Sequence, residues 1–235
     1  MRSAIFVAVL GLGLATVAAL ARAERAVLVN ERQIQRVLRL AFPTTDEEWR
    51  SRLSPDATMK ACARWHNQPP KKVADRLKRR EAARIVLPAD GKFVGDWRRG
   101  EKIAQSGYGL RFTDRDRKRP NGGNCYACHE LSPDEVSFGT LGVSLKGFGR
   151  THRFEASYAR TAYEKIFNSQ AIVPCSNMPR FGANGILTVE QITDVVAYLL
   201  DPESPVNKPP KTSPAKAGGG NSSGSRTGPT QRPRE

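Results

Sequence analysis

Asn124-Cys125-Tyr126-Ala127-Cys128-His129 sets two thiols three positions apart, with an imidazole directly after the second. Cys-x-x-Cys-His is the spacing of covalent c-type haem attachment, in which the thiols add to the vinyl groups and the adjacent histidine binds the iron. One turn of chain then offers both sulfurs and the ring to one edge and one face of the macrocycle. Two other chemistries use Cys-x-x-Cys. A zinc knuckle needs a fourth ligand and usually a second Cys/His pair, whereas Cys62 and Cys175 are distant and isolated. A thioredoxin-like pair needs a βαβ setting, and no strand pattern surrounds this one. One motif implies one haem, anchored by Cys125 and Cys128, with His129 as the proximal ligand.

Four side chains compete for the opposite axial position: Met178, Met59, His66 and His152. Met178 stands 49 residues beyond His129 and precedes Pro179, which fixes its own φ and lacks a donor. A methionine is more often core filler than ligand, but a Met-Pro turn after the haem motif favours Met178 on the iron. His152 reads as a loop or surface imidazole, and His66 lies in an N-terminal extension. His/Met ligation raises the potential and fills both axial positions. An iron closed in this way transfers electrons and does not bind substrate, which argues against a peroxidase or oxygenase.

The elements that must position these residues are helices. Asp96 can cap a helix running to Ser106, in which Gly100 is bare enough for a close helix crossing. Thr188-Val189-Glu190-Gln191 is a capping box for a helix over 188–200, whose buried stripe is Ile192, Val195, Val196 and Leu199. Upstream, Ile34, Val37, Leu38 and Ala41 form one apolar stripe, and Thr45-Asp46-Glu47-Glu48 opens a further helix. The order of N-terminal helix, haem motif, Met loop and C-terminal helix is that of the small all-α cytochromes. Gly142-Val143-Ser144-Leu145-Lys146-Gly147-Phe148-Gly149-Arg150 resembles the loop that follows the haem motif in class I cytochromes c. In that pattern a proline carbonyl accepts from the proximal imidazole Nδ1–H. Val143 stands there instead, and its carbonyl remains available.

Composition bounds the rest. Of 235 residues 39% are apolar and 26% charged, which excludes a fully disordered or polytopic membrane chain. The net charge of +15 invites a nucleic-acid reading, but the charge is uneven. Residues 24–84 carry +7 and residues 208–235 carry +5, against +1 for residues 85–207. Residues 1–23 combine Arg2, an apolar run and Ala21-Arg22-Ala23, the three parts of a secretory signal peptide. Export to the periplasm makes nucleic acid an unexpected partner, permits disulfides and suits haem attachment, which takes place outside the cytoplasm. No other stretch could cross a membrane. The expected organisation is a signal peptide at 1–23, a basic helical extension at 24–84, a mono-haem domain at 85–207 and a disordered tail at 208–235. Within the extension, the charge run Arg76 to Arg84 reads as a solvated helix face, with docking to an acidic partner as the sharper alternative.

Several stretches resemble one family closely: SoxX, the mono-haem cytochrome subunit of the SoxAX complex of bacterial thiosulfate oxidation. They are Leu87-Pro88-Ala89-Asp90-Gly91-Lys92, Gly95-Asp96-Trp97-Arg98, Asn121 to His129, Pro174-Cys175-Ser176-Asn177-Met178-Pro179-Arg180-Phe181-Gly182, and Leu199 to Asn207. The resemblance spans residues 56–207, and a cysteine just before the ligand methionine is its most specific mark. It implies a heterodimer with a SoxA-type haem subunit, which couples thiosulfate to a cysteine of the SoxYZ carrier. The sulfur chemistry would belong to SoxA, with no catalytic residue in this chain. This chain would accept electrons and pass them to a downstream cytochrome. Two other readings are a free-standing periplasmic electron carrier and a non-redox basic binding module.

The family resemblance extends to Cys62 followed by Asn67-Gln68-Pro69-Pro70. Together with even cysteine parity in an exported chain, it suggests a Cys62–Cys175 disulfide. Closing a loop of 113 residues is worth roughly 4–5 kcal/mol on the chain-entropy model. A free Cys175 that reacts with sulfur species and a bridge to a partner are the alternatives.

Overall fold

The computed structural model describes residues 31–43, 52–111, 113, 114, 116 and 118–209. The signal peptide, the Thr45–Glu48 capping box and the tail from residue 210 lie outside them. Among the described residues there are helices, turns and loops and no strand, as an all-α cytochrome c-like fold requires. The chain divides into two compact units, Met1–His66 and Asn67–Glu235.

In the first unit, helix α1 spans Glu31–Ala41 and α2 spans Ala57–Arg64. Asp56 caps α2 by accepting from the Met59 amide at 2.8 Å. The α1 stripe is only partly covered, and Val37 stays exposed. Thr58 and Cys62 are the buried positions of α2.

The second unit starts earlier than the sequence boundary at residue 85. Its first helix, α3, is Lys71–Ala82, which turns the charged run into part of this unit. Lys72, Lys78, Arg79 and Arg80 face solvent, but Leu77 and Glu81 are buried. Next come α4 (Trp97–Gln105), the short α5 (Phe148–Thr151), α6 (Ser157–Phe167), the short α7 (Ser169–Ile172) and α8 (Val189–Leu200).

Helices α4 and α8 make the principal crossing, and Gly100 permits it. A β-carbon at Gly100 would fall 2.0 Å from the Asp194 carbonyl oxygen, so any side chain would force the helices apart. Asp96 caps α4 by accepting from the Arg98 and Arg99 amides. Those amides, with charge from both arginines, hold its carboxyl below the usual range. Asp194, buried on α8, receives both arms of the Arg99 guanidinium at 2.7 Å and the Asp96 amide at 2.8 Å. The Thr188–Gln191 capping box opens α8 in both directions. At the other end, Asn207 donates to the Leu199 and Asp201 carbonyls and accepts from the Gly149 amide, tying α5 to the end of α8.

Around that crossing the core gathers Tyr163, Ile192, Val196, Tyr198, Leu131 and Val206, all essentially without exposure. Burying an aliphatic side chain of this kind contributes about 1.5–3 kcal/mol. The core thereby gives the loops between α4 and α8 a rigid floor.

Candidate haem site

The approach to the motif is strapped to the end of α4. The Gly122 amide donates to Tyr108 O, Gly123 to Ile103 O and Asn124 to Ser106 O. Asn124 adopts a left-handed conformation, φ 46°, and starts a single 3₁₀ turn over Cys125–Ala127. In that turn the Cys128 and His129 amides both donate to the Cys125 carbonyl, at 3.1 and 2.9 Å. The two sulfurs and the imidazole therefore issue from one turn. Tyr126, between the cysteines, points into the core, where its hydroxyl meets that of Tyr198 at 2.6 Å. Burial raises the pKa of both phenols.

The loop after the motif folds back on it. Gly139 N–H donates to Tyr126 O, Gly142 N–H to Cys128 O and Leu145 N–H to Glu130 O. Ser144 and Lys146 donate to the Glu130 carboxylate at 2.7 and 2.6 Å. This register sets the Val143 carbonyl 2.7 Å from His129 Nδ1. A carbonyl can only accept, so Nδ1–H donates there, and Nε2 is the ring nitrogen left for a metal. Glycine at 142 is required: a β-carbon would lie 2.2 Å from His129 Cε1. The sequence expectation that valine could replace proline by its carbonyl alone holds in the geometry.

Met178 is partly buried and packs, like Cys125, against the main core. Its carbonyl accepts from Ser169 Oγ, and its amide donates to Ser176 Oγ at 3.2 Å. Of the competing residues, Met59 and His66 lie in the first unit. His152 is taken up in an aromatic stack, 4.4 Å from the Phe148 ring and 4.0 Å from that of Tyr158.

Cys125 and Cys128 are free thiols, and burial pushes the Cys125 thiol up to about 12. Cys62 and Cys175 are each disulfide-bonded. Two free thiols and an imidazole from one turn, with a thioether further along the same unit, are the groups a covalent haem needs. Among the described residues no three His, Cys, Asp or Glu side chains cluster as a metal site.

Residues 112–202 match the cytochrome c family. That match, together with the helical fold, supports a cytochrome c-like domain with an electron-transfer role, and it implies covalently bound haem c. The chain is also 43% identical over 136 residues to an uncharacterized lipoprotein of Aquifex aeolicus (strain VF5), an alignment covering 58% of this chain and 64% of that protein. The chain thus spans slightly under two thirds of that relative's length. A crystal structure of SoxXA from P. pantotrophus is similar at 23% identity with a TM-score of 0.36, covering 52% of this chain and 90% of that one. A likeness at that level carries no argument about this chain. No helix among the described residues is long and apolar enough to cross a membrane.

Sequence reasoning missed a buried ionic cluster beside the Met178 loop. Glu81, Arg84, Asn168 and Arg180 meet there, with Glu81 and Asn168 fully enclosed. Arg180 was visible in the Met-Pro-Arg-Phe-Gly stretch, but no local pattern names its partner.

Proposed function

We propose that this chain is the mono-haem, electron-accepting subunit of a periplasmic SoxAX-type S-thiosulfotransferase. Cys125 and Cys128 would hold the single haem by thioethers, and His129 Nε2 and the Met178 thioether would ligate its iron. The observation that carries this reading is the His129–Val143 contact. It fixes the imidazole's tautomer and orientation, so that Nε2 alone is free to coordinate. The haem supplies a one-electron couple when bound. The chain supplies the rest: the turn at Cys125–His129 aims the anchors, the loop over 139–146 holds the ring, and the core excludes water behind them.

The specific assignment rests on the Cys175-Ser176-Asn177-Met178-Pro179-Arg180-Phe181-Gly182 stretch, where a cysteine stands three residues before the ligand. We pair Cys175 with Cys62 on even cysteine parity in an exported chain and on the family resemblance around Cys62. With His129 and Met178 both committed to the iron, this chain would have no open site for sulfur, and the sulfur chemistry would belong to a SoxA-type partner. Coupling two sulfurs releases two electrons while one haem stores one. The electrons therefore leave singly towards a downstream cytochrome, or another centre holds one of them. Val136, Leu141 and Val143 expose apolar side chains just beyond the motif, which suits a partner that docks through apolar contacts near it. Purification of the chain from its native host tests the reading. A second haem subunit should come with it in equal amount, and a solitary monomer would instead favour a free-standing carrier.

A further inference from the structure

The charged helix α3 reaches the Met178 loop through one carboxylate. Glu81 Oε2 accepts from Arg84 Nη1 at 2.9 Å, Asn168 Nδ2 at 2.9 Å and Arg180 Nη1 at 3.3 Å. Glu81 and Arg180 are 1% and 5% exposed, so this ion pair lies out of water. Each donor leads to the loop. Arg180 lies two residues after Met178. Arg84 donates its other arm to the Ala183 carbonyl at 2.9 Å. Asn168 also donates to the Glu81 carbonyl at 3.0 Å, and it precedes Ser169, whose hydroxyl donates to the Met178 carbonyl. The loop's far end closes on the same junction, with the Gly182 and Ala183 amides donating to Phe167 O.

We infer that Glu81 is a positioning residue for Met178: a buried anion on α3 that holds both sides of the axial-ligand loop in the ligating conformation. The inference rests on the assignment of Met178 to the iron. Thioether–iron bonds exchange readily with stronger donors, so the loop's conformational equilibrium decides how often the sixth position opens. Without the Glu81 charge, Arg180, Arg84 and Asn168 lose their common buried acceptor, and the loop segments those donors hold are freer to shift. Met178 is carried with them. In this account α3 acts in the cytochrome itself, which is a sharper role than a solvated basic face.

Added imidazole binds the oxidised holoprotein only when Met178 has left, so its apparent affinity scales with the open fraction. The far-red thioether–iron charge-transfer band reports the closed form. Glu81→Gln, which keeps the shape and removes the charge, should tighten imidazole binding by about tenfold or more, the effect of losing a charge-assisted hydrogen bond. Arg84→Gln, which removes a half-exposed donor shared between Glu81 and the Ala183 carbonyl but leaves the buried Glu81–Arg180 pair in place, should tighten it by a smaller factor. It decides the matter if Glu81→Gln yields no holoprotein. Asp194→Asn perturbs another buried, Arg-paired carboxylate at the α4–α8 crossing. It should lower the melting temperature and leave imidazole binding as in wild type. Wild-type imidazole affinity in both loop variants, or an equal shift in Asp194→Asn, overturns the inference. A wild-type holoprotein lacking the far-red band, or Met178→Ala retaining it, overturns the ligand assignment itself and the positioning role with it.

Discussion

Gly142→Ala adds one methyl group and tests how the proximal histidine is held. The new β-carbon would sit 2.2 Å from His129 Cε1, 2.5 Å from Nδ1 and 2.8 Å from Nε2. Carbon atoms in ordinary contact are about 3.5–4.0 Å apart, so ring or loop must retreat by about 1 Å or more. Either movement breaks the 2.7 Å contact between Nδ1 and Val143 O. Overpacking costs about 1–3 kcal/mol, and the lost hydrogen bond adds about 0.5–1.5 kcal/mol. Together that is a sizeable part of the roughly 5–15 kcal/mol that holds an ordinary domain. An imidazole without its acceptor is also a weaker donor and stabilises oxidised iron less. A difference of about 1 kcal/mol between oxidation states moves a one-electron potential by about 40 mV, here upward. The assay is thermal melting and redox titration of the holoprotein, with Leu141→Ala as control, because that side chain is exposed and its loss should do nothing. If Gly142→Ala melts and titrates like wild type, the loop does not hold the imidazole as described.

Met178→Ala should abolish the far-red band of the oxidised protein and lower its potential, while Met59→Ala does neither, as absorbance and voltammetry will show. Peptide mass spectrometry without reductant should find Cys62 linked to Cys175; two alkylatable thiols in freshly isolated native protein would contradict this and favour a reactive Cys175. Asp96 has a folded-state pKa below its unfolded one, mainly through the Arg99 amide. Its contribution is therefore complete above the unfolded value, near 4, and is lost as pH falls through the depressed folded value. Amide exchange in the first turn of α4 should quicken over that range, and Asp96→Asn should remove the dependence.

The local signals in the sequence were strong where a short motif sets the structure. Asp96 and the Thr188–Gln191 box cap their helices, Gly100 lies at the close crossing, and the Val143 carbonyl meets His129. Each needs only a few neighbouring residues, or one small residue where two helices touch. The boundary of the second unit was not legible. Glu81 looks like one more charge in a run of lysines and arginines, and its burial depends on Arg180, 99 residues further on. The stripe of α1 shows the opposite limit. Its periodicity is right, yet Val37 remains 62% exposed, because a pattern specifies a face and not what covers it. Helix α6 carries no strong opening signal, since Ala156 makes no side-chain cap, and its place follows from packing of Tyr163 and Phe167 in the core.

The division of labour is the central claim, and one assay reaches it directly. Thiosulfate-dependent cytochrome reduction is measured with the SoxYZ-type carrier present, using this holoprotein alone, a SoxA-type haem subunit alone, and both together. This chain should take up and release electrons from small redox reagents yet give no thiosulfate-dependent turnover by itself. Turnover should appear when the second subunit is added. Full turnover by this chain alone, or none from the pair, would contradict its assignment as the electron-accepting subunit.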